Sequence, residues 1–579
     1  MFKIIRGVIF NVLNQFQKSD EQISINDVLI DKTKEQIHGD IYTNAAMMFA
    51  KRLKVSPLVL AQSIRDSLAT KDYIKDVVIA GPGFINIKLT ENAWQTVINE
   101  ILEKKEAYSF TNLKNNASIN VEFVSANPTG PLHTGHARNA VFGSVAVNLL
   151  EKIGYVVTKE FYINDQGNQV KSLARSLYLR YREALGAKIS EDCFKEDMYC
   201  GSYVKDLARE FADIYQDTFL NKDESEWIEF FGDFAVKKMM ENVKKDLALI
   251  GIVMDKYTSE ADLCKKNMVE EALAILSERG DVYEGIIPEP KGMISEDWEE
   301  RPQTLFRSTK YGDDIDRPIR KSDGSWTYFA GDMAYHLDKI KRGYKKMLAI
   351  LGADHCGYVK RLQSAVKALS NDEAEVDIRL YQLVNFLENG ALIKMSKRSG
   401  NFITLKDVVE RVGKDITRYM MISRHHEVMI DFDFVKAVEF SMENPIFYIQ
   451  YAYARICSIF KNYETTFGTL DKEELMQCDK GGLNDEAEIL LMKSLSFWPE
   501  YVSAAAIAVE PHRIPNYLQD LAYCVHSLWN KGKANSKLRF IDTTNKDVTL
   551  SRLSLLESTK LVLEDGFRIM GITPLSEMQ

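Results

Sequence analysis

A loop punctuated by proline and glycine, set between an apolar run and a helical run, constrains this chain more than any other feature. Ile119 to Val124 is β-branched and apolar and reads as a short buried strand. Asn127-Pro128-Thr129-Gly130-Pro131 can continue neither a strand nor a helix interior, so it is a loop. Ala137, Ala140, Val141, Ser144, Val145 and Leu149 then recur on one helical face. After Gly154 a second strand candidate opens at Tyr155-Val156-Val157. Strand, loop, helix, strand is a βαβ unit. It predicts an α/β core in which the helix N-terminus offers unpaired N–H groups to an anion.

His133-Thr134-Gly135-His136 falls at that N-terminus. Two histidines three apart share a helical face, and Gly135 between them lets a flat ligand reach the backbone. Donors beside the positive end of a helix suit nucleotide phosphates, above all charge that grows in a transition state. A zinc pair or two satisfied surface histidines are the alternatives, but zinc needs further ligands and no other Cys or His lies nearby in sequence. Far downstream, Lys394-Met395-Ser396-Lys397-Arg398-Ser399-Gly400-Asn401 gathers cations and small residues ahead of a helix expected from near Leu405. Such a loop suits a triphosphate and neutralises departing pyrophosphate. Standing alone it would read as a solvated basic loop.

In this order the two stretches resemble the paired signatures of class I aminoacyl-tRNA synthetases. Their surroundings narrow the resemblance. Val121-Glu122-Phe123-Val124-Ser125-Ala126-Asn127-Pro128-Thr129-Gly130-Pro131, Asn164-Asp165 with Gly167-Asn168-Gln169, Gly352-Ala353-Asp354-His355 with Gly357-Tyr358, and Asn444-Pro445 with Tyr448, Gln450-Tyr451-Ala452 look like arginyl-tRNA synthetases of the bacterial type. The likeness runs from the N-terminal region to Met578. Thr134 stands for the usual aliphatic residue and Arg398 for the usual serine, and neither change removes a group that the mechanism needs.

The resemblance implies a Rossmann-type α/β catalytic domain with a helical insertion, an N-terminal α+β domain and an all-α C-terminal domain. The expected boundaries are 1–113 for the first domain, which in the family touches the outer corner of tRNA, 117–435 for the catalytic domain and 440–579 for the anticodon-binding domain, with the insertion at about 170–280 and the lysine loop at 394–398. It implies an arginine–tRNA ligase that makes arginyl-adenylate from L-arginine and ATP, then transfers arginine to the 3′ end of tRNA(Arg). ATP enters with Mg²⁺ as the substrate complex, and no structural zinc is expected. His133, His136, Lys394 and Lys397 are the expected catalytic groups; Gly135, Gly352, Asp354 and His355 border the nucleotide. The motif stretch runs from Ala126 to His136.

A planar guanidinium with five donors demands carboxylates placed for bidentate bonds, and Glu122 and Asp332 are the candidates. The resemblance adds Tyr328 and His336 to that pocket, and sets Ser125 and Asn127 near the amino-acid backbone. An Asp332 that only stabilises a helix N-terminus is the alternative. Lys531, Lys533, Lys537 and Arg539 alternate with Trp529 and Phe540 near the C-terminus, a pattern for phosphate contacts and base stacking. A solvated face with core aromatics fits that composition equally; the resemblance selects Trp529, Lys531 and Lys533 as tRNA contacts.

At 579 residues the chain is too long for one core, and two to four domains are expected. No apolar run approaches the ~20 residues of a membrane helix, and Met1 to Phe10 reads as an amphipathic first helix. Seven scattered cysteines without a Cys-x-x-Cys suggest a reducing, cytoplasmic setting, and a monomer is expected. A net charge of −9 argues mildly against nucleic acid, though local basic faces matter more than the sum.

Ala46, Phe49, Ala50 and Leu53 share a helical face, Val77 to Lys88 reads as a hairpin, and Asn112 to Asn116 as a linker. Gln169 to Leu276 reads as almost wholly helical. A strand is expected at Ser325–Phe329, with a helix from Gly331, and another strand at Lys346–Leu351, whose end in Gly352-Ala353-Asp354-His355 is where open α/β sheets bind ligands. Helices are expected from 440 onward. Rival readings are a small nucleotidylyltransferase, which needs no lysine loop or helical C-terminus, a non-catalytic tRNA-binding paralogue, and a synthetase for another amino acid.

Overall fold

Five parallel strands carry the middle of the chain: β1 (Ser118–Glu122), β2 (Val156–Ile163), β3 (Lys256–Ser259), β4 (Lys346–Gly352) and β5 (Glu375–Tyr381). The computed structural model describes residues 1–17, 23–33, 35–286, 302–321, 323–393 and 403–578. In space the strands run β5-β4-β1-β2-β3, every neighbour parallel. The chain therefore winds outward from β1 through β2 to β3, then crosses back to lay β4 on the other flank of β1. That reversal opens a crevice beyond the carboxyl ends of β1 and β4, the place where open α/β sheets bind ligands.

β1 feeds α1 (Thr134–Lys152). The expected face is buried except for half-buried Ser144, and so are Phe142, Ala146, Val147 and Leu150 elsewhere around the helix. A helix buried around its circumference is held between layers, here the sheet and the C-terminal helices, where Asn148 Nδ2 donates to the carbonyl of Ile569 at 2.8 Å. At roughly 2 kcal/mol per buried aliphatic side chain, this makes the N-terminal turn of α1 a fixed platform. Gly143 is part of that fit: a Cβ there would lie 2.2 Å from the Phe123 ring. Any larger residue would push α1 off the end of β1.

The helical insertion comprises Asn168–Ala184, Ser202–Tyr215 and Glu224–Leu249, around a core that includes Leu177, Tyr181, Phe211, Trp227 and Phe231. The expected helical stretch to Leu276 is interrupted, because β3 lies inside it and completes the parallel sheet. Its four residues, Lys-Tyr-Thr-Ser, are too few and too polar to announce a strand. The strand expected at Ser325–Phe329 is likewise corrected. Trp326 makes an isolated bridge to Arg320, and helix α2 (Tyr328–Lys341) starts three residues before Gly331. Its aromatic start favours strand by propensity, but burial of Phe329, Ala330, Met333 and Ala334 on one side decides for helix.

Among the described residues, the N-terminal region pairs an antiparallel four-stranded sheet with four α-helices, Phe2–Gln15, Ala45–Leu53, Pro57–Ala69 and Glu91–Lys104. Residues from Pro445 form helices only, among the described residues. The final helix, Lys546–Met570, is its buried axis. Its last carbonyl, on Met570, accepts from Arg418 Nε at 2.6 Å, while the same guanidinium donates to the Ile250 carbonyl and to Ser144 on α1. The Asn112–Asn116 segment is no loose linker: Lys114 and Asn116 donate their N–H groups to Ile153 and Gly154 at the end of α1.

Candidate active site

The chain leaves β1 through a strained turn. Val124 and Ser125 take φ values of 69° and 35°, a region that β-branched residues avoid. Asn139 on α1 holds the turn: its Oδ1 accepts from the Val124 N–H at 2.6 Å, and its Nδ2 donates to the Ile350 carbonyl of β4 at 2.9 Å. One buried amide thus fixes the ends of β1 and β4 relative to α1. Strain concentrated at a strand end beside a ligand crevice is a mark of function.

His133 is the N-cap of α1, and the two motif histidines cap the helix reciprocally. His133 Nδ1 accepts from the Gly135 N–H at 3.1 Å, and His136 Nδ1 accepts from the His133 N–H at 3.3 Å. An accepting Nδ1 leaves the ring proton on Nε2, so both imidazoles are neutral with an Nε2–H donor. The rings stack with centroids 3.8 Å apart. Gly135 serves the stack, since a Cβ there would lie 2.9 Å from the His133 ring. Its expected role beside a ligand is a separate matter.

Lys394 and Lys397 lie outside the described residues, but the chain after them is tied to the histidine turn. His133 bridges Thr404, the Thr134 N–H donates to Ile403, and the Leu405 N–H donates to Leu132. The expected helix begins at Leu405, capped by Thr404 and Asp407.

The acidic side of the crevice is built by α2. Tyr328, Asp332 and His336 follow one another at helical spacing; Tyr328 is 60% exposed, Asp332 half-buried and His336 buried. Burial pushes the Asp332 pKa up to about 8, helped by the nearby carboxylates of Glu122 and Glu260. Among the described residues its carboxylate makes no hydrogen bond or ion pair, although Arg361 is close enough to oppose the shift. His336 Nδ1 lies 2.8 Å from the Asp332 carbonyl and so carries the proton; Nε2 is buried with no partner among the described residues. Burial and Lys339 hold its pKa down to about 4, so this ring is neutral.

Glu122 differs from Asp332. Its Oε2 accepts from the buried Lys339 ammonium at 2.7 Å and its Oε1 from Ser125 Oγ at 3.0 Å. Ser125 Oγ in turn accepts from the Tyr162 N–H at 3.1 Å. Asn127 is exposed at the crevice. Across it, Gly352, Asp354 and His355 close the end of β4, with Asp354 and His355 largely exposed.

Glu260 was not foreseen. It starts the short helix after β3, and its Oε1 lies 3.3 Å from where a Cβ on Gly331 would be, beside Asp332. Burial and Asp165 raise its pKa, while the Tyr162 hydroxyl opposes this. Asp165 itself is occupied by Ser259 Oγ and the Ala261 N–H. Nothing in the sequence connects positions 260 and 332; only the placing of β3 at the sheet edge does.

Trp529, Lys531 and Lys533 sit far along the helix Arg513–Ala534. Trp529, Lys533, Arg539 and Phe540 line a recess of about 310 Å³, whereas Lys531 is engaged with Asp485 at 3.3 Å. Among the described residues no group of His, Cys, Asp and Glu is arranged to hold a metal ion. No described helix is long and apolar enough to cross a membrane.

Comparison with known proteins covers the chain in three parts. Residues 3–89 match the "Arginyl tRNA synthetase N terminal domain", residues 97–443 the "tRNA synthetases class I (R), catalytic domain", and residues 449–578 the "DALR anticodon binding domain". An arginine–tRNA ligase of Wolbachia pipientis wMel is 46% identical over 579 residues, the whole of both chains. That of Parvibaculum lavamentivorans is 46% identical over 559 residues, covering 96% of this chain and 95% of the relative. A crystal structure of a putative arginyl-tRNA synthetase from Campylobacter jejuni superposes with a TM-score of 0.72 at 31% identity, over 85% of this chain and 100% of that one. The arginyl-tRNA synthetase of Thermus thermophilus shares the fold, with a TM-score of 0.73 at 19% identity over 99% of each chain. Full-length relatives, matched catalytic and flanking regions, and a sheet whose switch point gathers the histidine turn and an acidic recess agree: the chain belongs to the arginyl-tRNA synthetase family of class I ligases.

Proposed function

We propose that the enzyme charges tRNA(Arg) with the guanidinium of arginine seated between Asp332 and Glu260 and the ATP phosphates over the N-terminus of α1. The observation that carries this reading is the carboxyl group of Asp332, which lies beside Glu122 and Glu260 without a hydrogen bond among the described residues. Such a site is short of one cation. A guanidinium supplies the charge and the planar fork together, and Tyr328 offers its ring alongside. Glu122, already paired with Lys339, fixes the rim with Ser125.

The arginine carboxylate attacks the α-phosphorus of ATP in line, and the protein supplies positioning and charge stabilisation. The Nε2–H donors of His133 and His136 serve the α-phosphate side, and Lys394 and Lys397 the β- and γ-phosphates of the magnesium complex. Gly135, Gly352, Asp354 and His355 border adenine and ribose. The terminal ribose hydroxyl of tRNA then takes the aminoacyl group from the adenylate.

Tyr451, Arg455, Trp529 and Phe540 form a chain of ring and cation contacts toward Lys533, which suits stacked bases on the anticodon side. The same reading takes 1–113, 117–435 and 440–579 as working domains of a cytoplasmic monomer; light scattering of purified protein checks the last point.

An ATP–pyrophosphate exchange panel over the amino acids, with total tRNA supplied, tests the assignment. Arginine alone should support exchange. Without tRNA, exchange should stay near background, because tRNA raises the population of the productive arrangement through both flanking domains. Exchange with another amino acid and none with arginine would overturn the reading.

A further inference from the structure

Arg138 follows His136 by two residues and is 1% exposed. It is a buried cation, yet among the described residues no carboxylate pairs with it. Its Nη1 donates to the Gln382 carbonyl at 2.7 Å and its Nη2 to the His425 carbonyl at 2.9 Å, while Nε is buried with no partner among the described residues. Burial pulls its pKa down to about 10, so it remains charged at neutral pH. A buried charge satisfied only by carbonyls is a poor way to gain stability, since an apolar side chain of similar volume costs less to bury. What the guanidinium offers instead is a rigid fork that spans two acceptors on separate chain segments.

Those segments are informative. Gln382 follows β5 and leads into Val384–Glu388, and His425 precedes Ile430–Asp433; the two strands pair in parallel. The Gln382 N–H also donates to the His426 carbonyl at 2.8 Å. Arg138 therefore clamps the base of this small sheet, which includes Ala391–Leu392, onto the histidine turn. A second fastening joins the same turn to Ile403–Leu405. On its far side, His425 Nε2 lies 3.5 Å from Glu510 of the C-terminal helical region, next to Val509, whose φ of 53° is itself strained for a β-branched residue.

We propose that Arg138 is a positioning residue for amino-acid activation: its fork sets how the small sheet and the His425 turn seat against the His133–His136 turn. The inference rests on the reading of the two histidines as activation groups. A shift of about 1 Å in such a seat is enough to lower a rate by ~10²-fold without touching the ligand.

The test uses the full-length enzyme with saturating tRNA, rates being expressed per active site counted from an adenylate burst. Arg138→Gln should lower kcat for arginine-dependent exchange by about 10- to 100-fold, with the KM for arginine within twofold of wild type. Arg138→Lys keeps the charge but cannot span both carbonyls, and should lower kcat by at least about threefold. This variant decides the matter if Arg138→Gln does not fold. A residue that only stabilises the fold would reduce the number of active sites and leave kcat per site unchanged, and that result overturns the proposal; so does a rise in the arginine KM parallel to the loss in kcat. His136→Asn is run beside them. If it retains wild-type kcat, the reading of the histidines fails; if it is impaired while both Arg138 variants are normal per site, the Arg138 inference alone fails.

Discussion

Glu160, fully buried, and Asp332, half-buried, are both acids near Lys339, and their surroundings treat them in opposite ways. Glu160 accepts from Asn120 Nδ2 at 2.6 Å, from Thr258 Oγ1, and from Arg342 Nη2 at 2.8 Å. Burial alone would raise its pKa, yet Lys339, Thr258 and Arg342 together hold it below the ordinary value. Among the described residues Asp332 receives no such donors, and burial beside Glu122 and Glu260 drives its pKa to about 8. The first is a finished structural acid. The second is left without a matched cation among the described residues, the pattern expected of a ligand site.

The comparison breaks most sharply on citrulline, which keeps the size of arginine and loses its charge. Citrulline brings no charge to displace the Asp332 proton or to match Glu260, so the recess should reject it by about 10⁴ in kcat/KM. Discrimination below about tenfold, measured by exchange with tRNA present, would mean that Asp332 and Glu260 do not face the side chain.

Lys397→Ala tests the proposed role of the lysines beside that of the histidines, which are already engaged in capping α1. If the lysines meet charge on the departing pyrophosphate, the activation rate should fall by roughly 10²–10³-fold with the arginine KM nearly unchanged. A weakened arginine KM at normal turnover would put Lys397 in the wrong role.

Asp332→Asn should raise the arginine KM by about 10²-fold and leave the ATP KM alone. It also has a pH signature. In the free enzyme Asp332 holds its proton up to about pH 8, so binding a guanidinium near pH 7 releases that proton. The arginine KM should fall as pH rises from 7 toward 9, and Asp332→Asn should remove the slope. The folded state holds this proton more tightly than the unfolded chain, whose pKa is about 3.9. The apo fold therefore loses stability as pH rises between those values. Asp332→Asn should accordingly raise the apo Tm at pH 8 by about 1–3 °C and leave it unchanged at pH 4. Glu160→Gln should do the reverse, destabilising by about 3–5 kcal/mol at neutral pH through an unbalanced buried partner. Equal effects of both substitutions on the arginine KM would erase the distinction between the two acids.

The part of this contrast that was legible in sequence is the part that is local. The β1–loop–α1 unit was readable because β-branched residues, Pro128, Gly130, Pro131 and a helical period follow one another within one stretch. Tyr328 and Asp332 could be paired because their spacing is helical, although the strand expected over Ser325–Phe329 was wrong: tertiary burial of Phe329 and Met333 outweighs the β propensity of Trp326, Tyr328 and Phe329. Glu260, Lys339 and Arg138 were not legible. Each acts on a residue brought close by sheet order, and neither period nor composition carries that information. The reciprocal capping by His133 and His136 is an intermediate case, since a capping box ordinarily announces itself by Ser, Thr or Asp rather than by histidine.

The smallest effect extends the comparison to the C-terminal helices. Trp529 Nε1 is buried without an acceptor among the described residues, in a recess it shares with Lys533, Arg539 and Phe540. Lys531, two residues away, is engaged with Asp485. By the logic that separates Asp332 from Glu160, Trp529 and Lys533 are the residues expected to meet RNA, while Lys531 is partly occupied by the fold. Trp529→Ala should weaken tRNA binding by about tenfold, the loss of one stacked base. Lys533→Ala should weaken it less at physiological salt and reduce the slope of log affinity against log salt by about 1. Lys531→Ala should move the slope less than Lys533→Ala does, because an ion-paired ammonium releases fewer counterions on binding. Filter binding across a salt series measures all three. Identical slopes for the two lysine variants would show that an unfilled partner is no guide to the RNA surface, however well it serves at Asp332.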